Sequence, residues 1–420
     1  MHTAISECPP GSISVQKNVR QRLECVDALR GLVMVFMCLD HTREFFGDLR
    51  LAPEDLQTTT PLLFFTRWVT HFCAPTFVFL AGVSAWFYGQ KSGSRRQLAE
   101  FLVTRGMWLL FLEFTVVYFG WLQCVGRFPL MFIVIGAIGV SMMALAALVY
   151  LPYWAVCCFG LVTVALHNCL DGFAVSDFGR FGDVWVLLHQ GGRIESLYDI
   201  ANLRLDIGYP ILAWVGVISC GYVFGRVLQQ DRAVRSAQCL QLGLGCIVLF
   251  LVLRGLNFYG DPRPWGEQST ATITVLSFLM CTKYPPSLLY LLMTLGPALV
   301  VLGIFEQWSV AESGRERKSP RLLSALLVFG RVPLFFYVVH LYLIHTLSRL
   351  LYWVARGEPL SPLQVAFECF QNESPFPKNY GFSMNVVYLA WPLMLMILWP
   401  MCMWFGKVKR RGNSWIWSYL

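Results

Sequence analysis

About ten apolar runs, each close to the length of a membrane-crossing helix, divide the 420 residues of this chain. A bilayer core of ~30 Å takes about 20 helical residues to cross, and backbone groups left unpaired inside it are prohibitively costly. A chain built this way is predicted to be all-α, a polytopic integral membrane bundle of about ten transmembrane helices. The runs fall near 28–46, 62–88, 101–121, 129–150, 153–170, 208–228, 237–257, 286–307, 323–352 and 384–405. The composition agrees: 56% of residues are hydrophobic and only 14% charged. The links alternate in character. Lys17, Arg20 and Arg22, then Lys91, Arg95, Arg96 and Arg105, then the 226–236 link, then Arg315, Arg317, Lys318 and Arg321, and finally Lys407, Lys409, Arg410 and Arg411 fall on one side. The links 47–61, 171–207, 258–285 and 353–383 fall on the other and are richer in Asp, Glu, Gly and Pro. Basic links mark the cytoplasmic face, so both termini are expected there. The net charge of +8 therefore reads as a topology signal, not a nucleic-acid footprint. The expected organisation is an N-terminal cytoplasmic segment (1–27), a membrane domain (28–405) and a basic tail (406–420).

The stretch RLECVDALRGLVMVFMCLDHTR, from Arg22 to Arg43, is unlike the other runs. It stays apolar for about half a bilayer and then presents Asp40 and His41. At ~100° per residue, the step from Arg30 to His41 returns to within ~20° of one direction, and the rise separates them by roughly 16 Å. Arg30 and His41 thus share a stripe with Met34 and Met37. Ionisable groups at membrane depth normally face a protein interior or a wet cavity, and a functional site is the default hypothesis for them. Arg30 and His41 look like the two ends of a substrate tunnel. The plainer reading is an Asp27–Arg30 ion pair at a helix end and a packed, hydrogen-bonded His41. Either way the short apolar run needs neighbours, which places this helix at the centre of a bundle.

Further polar groups interrupt other runs. The second holds Arg67 and His71 one turn apart, then Pro75, which frees a backbone carbonyl near His71, and the small pair Ala81–Gly82, which permits close helix packing. The third opens at Arg105 and carries Glu113 deep inside, where a buried cation, first of all Arg67, is the expected partner. The fifth ends at His167 and Asp171. The ninth has Arg331, Pro333, His340 and His345. Arg105 and Arg331 also fit a role limited to snorkelling and topology. His167 and His345 fit plain interfacial residues. The fourteen cysteines lie mostly in apolar runs without paired CxxC motifs, so neither a disulfide framework nor a metal site is expected. Residues 171–207 look structured, and 258–285 contains an apolar stretch too short to span, predicted to be an interfacial or re-entrant helix.

Five stretches carry a family resemblance: RLECVDALRGLVMVFMCLDHTREFF, TRWVTHFCAPTFVFLAGVSAW, FLVTRGMWLLFLEF, TKYPPSLLYLLMTLGPALVVLG and GRVPLFFYVVHLYLIH. They resemble bacterial relatives of the catalytic domain of heparan-alpha-glucosaminide N-acetyltransferase. The first also resembles the opening of the wider transmembrane acyltransferase superfamily, with an Arg and a His on the first helix and ten residues between them, as Arg30 and His41 have. The resemblance implies a bacterial inner-membrane protein that takes an acyl group, acetyl above all, from cytosolic acyl-CoA. It implies an extracytoplasmic sugar or glycan acceptor and no metal. In the lysosomal enzyme the catalytic histidine belongs to a loop leading into the second span. The corresponding region here, Asp55 to Leu62, has none, so either His41 or His71 takes the role or this branch has lost or changed the chemistry.

Acyl transfer from a thioester needs a base or nucleophile active near neutral pH, which histidine supplies, and donors for the developing oxyanion. The catalytic candidates are His41, Asp40 and His71. Arg30, Arg105 and Arg331 are candidates for CoA phosphates, and Arg67, Glu113 and His340 for the acceptor or oxyanion site, with backbone groups freed at Pro75 a further oxyanion source. A rival from another class is a proton-coupled secondary transporter, with Asp40, His41, Glu113 and His340 as a proton relay. Such transporters often show inverted repeats, and none is visible in the chain.

Overall fold

The computed structural model describes residues 12–126, 128–201, 203–308, 321–357 and 361–411. Arg315, Arg317 and Lys318 of one basic link lie outside the described residues. The fold is an all-α membrane bundle. Its first half runs α1 (Ser12–Phe46), α2 (Pro61–Thr70), α3 (Cys73–Ser92), α4 (Arg95–Leu112), a π-turn (Glu113–Val117), α5 (Tyr118–Leu122), β1 (Leu130–Phe132), α6 (Val134–Leu148) and α7 (Tyr153–Leu166). An outer segment follows with α8 (Gly182–Trp185), β2 (Gly192–Arg193), α9 (Glu195–Ala201) and β3 (Leu205–Ile207). The rest is α10 (Ile211–Phe224), α11 (Arg232–Leu256), α12 (Ala271–Leu279), α13 (Leu288–Trp308), α14 (Arg321–Gly330), α15 (Pro333–Arg356), α16 (Pro362–Gln371) and α17 (Met384–Arg411). A small sheet in the order β1-β3-β2 ties the outer segment to the start of α6, with β1 parallel to β3 (Leu130 opposite Leu205) and β2 antiparallel to it.

Among the described residues, eight helical stretches are long and apolar enough to cross a membrane: Pro61–Ser92, Arg95–Leu122, Tyr153–Leu170, Ile211–Gln229, Arg232–Leu256, Leu288–Trp308, Pro333–Arg356 and Met384–Arg411. Helix α1 is long enough, but Asp27, Arg30, Asp40, Arg43 and Glu44 interrupt its apolar character. It packs against α2, α3, α13, α14, α15 and α17, the central position its short apolar run calls for. Helix α11 lies outside, with Leu244, Val248, Leu251 and Val252 exposed as a lipid-facing stripe.

Three runs are subdivided more finely than their hydropathy shows. The expected span 323–352 is two helices, because Val332 leaves helical geometry and Pro333, which has no N–H to give, starts α15 at its first turn. The run 62–88 breaks between Thr70 and Cys73. Pro75 cannot donate to the carbonyl four residues back, that of His71, which accepts instead from the Tyr290 hydroxyl at 2.8 Å. At 129–150 the first residues are strand β1, and α6 begins at Val134. The short apolar stretch of the 258–285 link is α12, nine residues long.

Close approach through glycine sets the bundle's inner spacing. A Cβ at Gly82 would overlap the carbonyl of Ile218, and one at Gly330 the carbonyl of Asp27. Backbones therefore touch at the α3–α10 and α1–α14 crossings. The second of these brings Arg30 within 3.3 Å of the Gly330 carbonyl and so fixes where its guanidinium sits.

Candidate active site

Two cavities lie one beyond the other along the helix α1 stripe. The first, about 360 Å³, takes Arg30, Met34 and Met37 from α1 together with Arg105, Arg331 and Lys409. The second, about 250 Å³, takes Asp40, His41 and Glu44 from α1 with Arg67, Trp121 and Lys283. Val134 and Tyr337 belong to the walls of both. The first cavity thus gathers cations from the basic segments of the chain. The second is bounded by Lys283, Tyr284, Leu363 and Phe367 from the links rich in acidic residues, Gly and Pro. The Arg30 and His41 ends of the α1 stripe thus line two separate cavities that share Val134 and Tyr337 as wall residues.

His41 is bonded in a way that fixes its proton. Its Nδ1 lies 2.7 Å from His340 Nε2, with the rings stacked at 4.9 Å. His340 Nδ1 lies 3.0 Å from the Phe336 carbonyl, which can only accept. Nδ1 of His340 therefore carries the hydrogen and, in the neutral ring, Nε2 is the acceptor. His41 Nδ1–H then donates to it, which leaves the unshared pair of the neutral ring on His41 Nε2. Two neutral imidazoles in this chain present one basic nitrogen on a ring that lines the second cavity.

The charges beside His41 form a network. Arg67 donates to both carboxylate oxygens of Asp40, at 2.8 and 2.7 Å, and Arg43 reaches Asp40 at 3.3 Å. Glu44 lies 3.9 Å from Arg67, and Glu54 lies 3.6 Å away on its other side. Glu54 also meets His71 Nε2 at 3.1 Å. Burial works to raise the Glu54 carboxyl, but the His71 hydrogen bond and the charges of Arg67 and Lys283 outweigh it and hold it at about 2. His71 lines neither of the two cavities. Lys283 is only 8% exposed and has no carboxylate within ion-pair distance among the described residues, its ammonium lying 5.1 Å from the centre of the Tyr284 ring.

The remaining sequence candidates separate. Arg30 pairs with Asp27 at 2.8 Å and still lines the first cavity, so ion pair and cavity wall coexist. Arg331 pairs with Glu24 at 3.2 Å. The expected Glu113–Arg67 pair does not form: Arg67 is taken by Asp40, and Glu113 accepts from the Ile133 backbone N–H at the start of α6. Glu113 opens the π-turn, a wide helical turn that turns up often at functional sites. His345 and His167 are buried ties between elements, to Ser361 Oγ and the Pro286 carbonyl respectively. Pro75 is not a source of oxyanion donors, because the group it frees is a carbonyl and Tyr290 already occupies it. Sequence reading passed over Trp121 and Tyr337, whose rings meet His41 edge-on at 4.8 and 6.5 Å. The available signal was Tyr337 standing one helical turn before His340.

Comparison with known families then identifies the scaffold. The family described as heparan-alpha-glucosaminide N-acetyltransferase, catalytic, matches residues 22–259, more than half of the chain. The chain belongs to this family. Family membership, together with the apolar helices, makes it a multi-pass membrane protein of acetyltransferase type. No curated protein matches it. The matched residues include Arg30, Asp40, His41, Arg67, His71, Arg105, Glu113 and Trp121, while Lys283, Arg331, Tyr337 and His340 come from the part of the chain beyond the match.

Proposed function

We propose that the protein moves an acyl group, acetyl above all, from acyl-CoA in the first cavity to a hydroxyl or amine of a sugar or glycan in the second, with His41 as the base and 28–405 as the transferase unit. The observation that carries this reading is the position of His41: its basic nitrogen is fixed by His340, and its ring lines the chamber beyond the cation-lined one. Arg30, Arg105, Arg331 and Lys409 suit the phosphates of CoA, which charge-assisted bonds from arginine recognise well. Met34, Met37 and the apolar wall around them suit the pantetheine arm. The basic links support a cytoplasmic side for that mouth under the positive-inside rule, with the second chamber toward the opposite side. No step asks for a metal. His41 takes the acceptor's proton as the new bond forms and returns it to the departing thiolate. Asp40 neutralises Arg67 and keeps the site's charge balanced without touching the reacting atoms.

Turnover of labelled acetyl-CoA by the purified protein, with a panel of amino sugars and glycans, tests the proposal. Acceptor-dependent release of free CoA supports it. No binding of acetyl-CoA, together with proton movement coupled to solute uptake in proteoliposomes, would favour the transporter reading instead.

A further inference from the structure

Attack on a thioester places negative charge on its carbonyl oxygen, and a dry site needs hydrogen-bond donors aimed there. Arg67 is held by Asp40, and Pro75 supplies only a carbonyl. Besides the Lys283 ammonium on the same wall, two neutral donors stand beside His41. The hydroxyl of Tyr337 and the indole Nε1 of Trp121 are both buried and without a hydrogen-bond partner among the described residues. The indole N–H lies close to the Tyr337 oxygen but outside hydrogen-bond geometry. Both side chains line the second cavity, and Tyr337 lines the first as well. Their rings stand steeply inclined to that of His41, with centroids 4.8 and 6.5 Å away.

Local structure explains why they converge. Tyr337 lies one turn before His340 on α15, so one helix carries both the group that orients the base and a donor. Trp121 follows the π-turn at Glu113–Val117. One residue added to a helical turn rotates everything after it by ~100°, and past this turn the Trp121 ring lies 4.8 Å from that of His41. Buried donors are nearly always paired in folded proteins, so two unpaired ones side by side on a cavity wall point to a ligand oxygen.

We propose that the Tyr337 O–H and the Trp121 N–H form the oxyanion site of this transferase, receiving the thioester carbonyl oxygen of acyl-CoA at the wall the two cavities share. The assignment rests on the acyl-transfer reading above and adds the donors that reading lacks. The acceptor's lone pair bonds to the carbonyl carbon, and the C=O π pair moves onto oxygen, where the phenol and indole hold it. His41 Nε2 takes the acceptor's proton. The oxygen's pair then re-forms the C=O bond, the C–S bond breaks with its electrons on sulfur, and the thiolate of CoA takes the proton back from His41.

The test uses the purified full chain with acetyl-CoA labelled with ¹³C at the carbonyl. In the wild type the bound carbonyl stretch should lie below that of free acetyl-CoA, because donors polarise the bond. Tyr337→Phe should return the band toward the free value and lower kcat about 100-fold, with acetyl-CoA Kd within about twofold of wild type. Trp121→Phe should act in the same direction and stands in if Tyr337→Phe does not fold. Wild-type turnover with an unmoved band and unchanged kcat in these variants would overturn the oxyanion assignment alone. A wild type that neither binds nor turns over acetyl-CoA would overturn it together with the acyl-transfer reading.

Discussion

Removing the His340 imidazole is the most informative change beside His41. In the folded protein, His340 Nε2 accepts from His41 Nδ1–H at 2.7 Å, in a site where both histidines are buried. His340→Ala leaves that donor without its partner and frees the His41 ring to change tautomer or turn. The loss should be largest in the transition state, because His41 becomes cationic as it takes the acceptor's proton and its bond to His340 is then charge-assisted. Hydrogen bonds of that kind contribute about 1.5–3 kcal/mol. At 1.36 kcal/mol per tenfold, a loss in the upper half of that range lowers kcat by roughly 45- to 160-fold. Ground-state binding of acyl-CoA gains nothing from this bond and should keep its affinity. His340→Gln, which restores an acceptor near the same place, should recover part of the rate. The assay is kcat from labelled acetyl-CoA turnover, with acyl-CoA affinity and thermal stability measured on the same preparation. Folded His340→Ala protein with kcat within about threefold of wild type would refute the argument.

Three more outcomes are expected. Arg30→Ala should weaken acyl-CoA binding by about 1.5–3 kcal/mol through loss of a charge-assisted phosphate contact, and Arg105→Ala by less; unchanged CoA affinity in calorimetry would return both residues to a purely topological role. Asp40→Asn removes the carboxylate that Arg67 grips with two bonds; breaking a buried pair from one side costs about 3–5 kcal/mol, and the nearby Glu44 and Glu54 should hold the loss toward the low end, seen as a lowered unfolding midpoint. Glu54 is held at about 2 against its ordinary 4.5, so its stabilising effect is complete above pH 4.5 and is lost as pH falls toward 2; the stability gap between wild type and Glu54→Gln should be constant near neutrality and should close across that acid window.

The long apolar runs were legible because the bilayer imposes one length and one backbone rule on every span. The stripe from Arg30 to His41 was legible for a related reason, since helical periodicity alone sets which residues share a face. Breaks inside runs were harder to see. Pro333 and Pro75 marked two of them, but the strand at Leu130 and the π-turn at Glu113 carry no residue that forces them. Partners across the bundle were hardest. Arg67 lies near Asp40, Glu44 and Glu54 in space, and only packing decides which carboxylate it grips, so the expected pairing with Glu113 gave way. His340 and Lys283 come from segments far along the chain, and their meeting with His41 is a property of the bundle, with no trace in local sequence.

The central claim is that His41 performs the chemistry, and the most direct measurement pairs turnover with binding for His41→Ala. A group whose contribution is made in the transition state can be removed without changing ground-state affinity. The account predicts that folded His41→Ala protein binds acetyl-CoA as the wild type does and transfers no acetyl group. His41→Ala protein that binds acetyl-CoA and turns it over at the wild-type rate would contradict it.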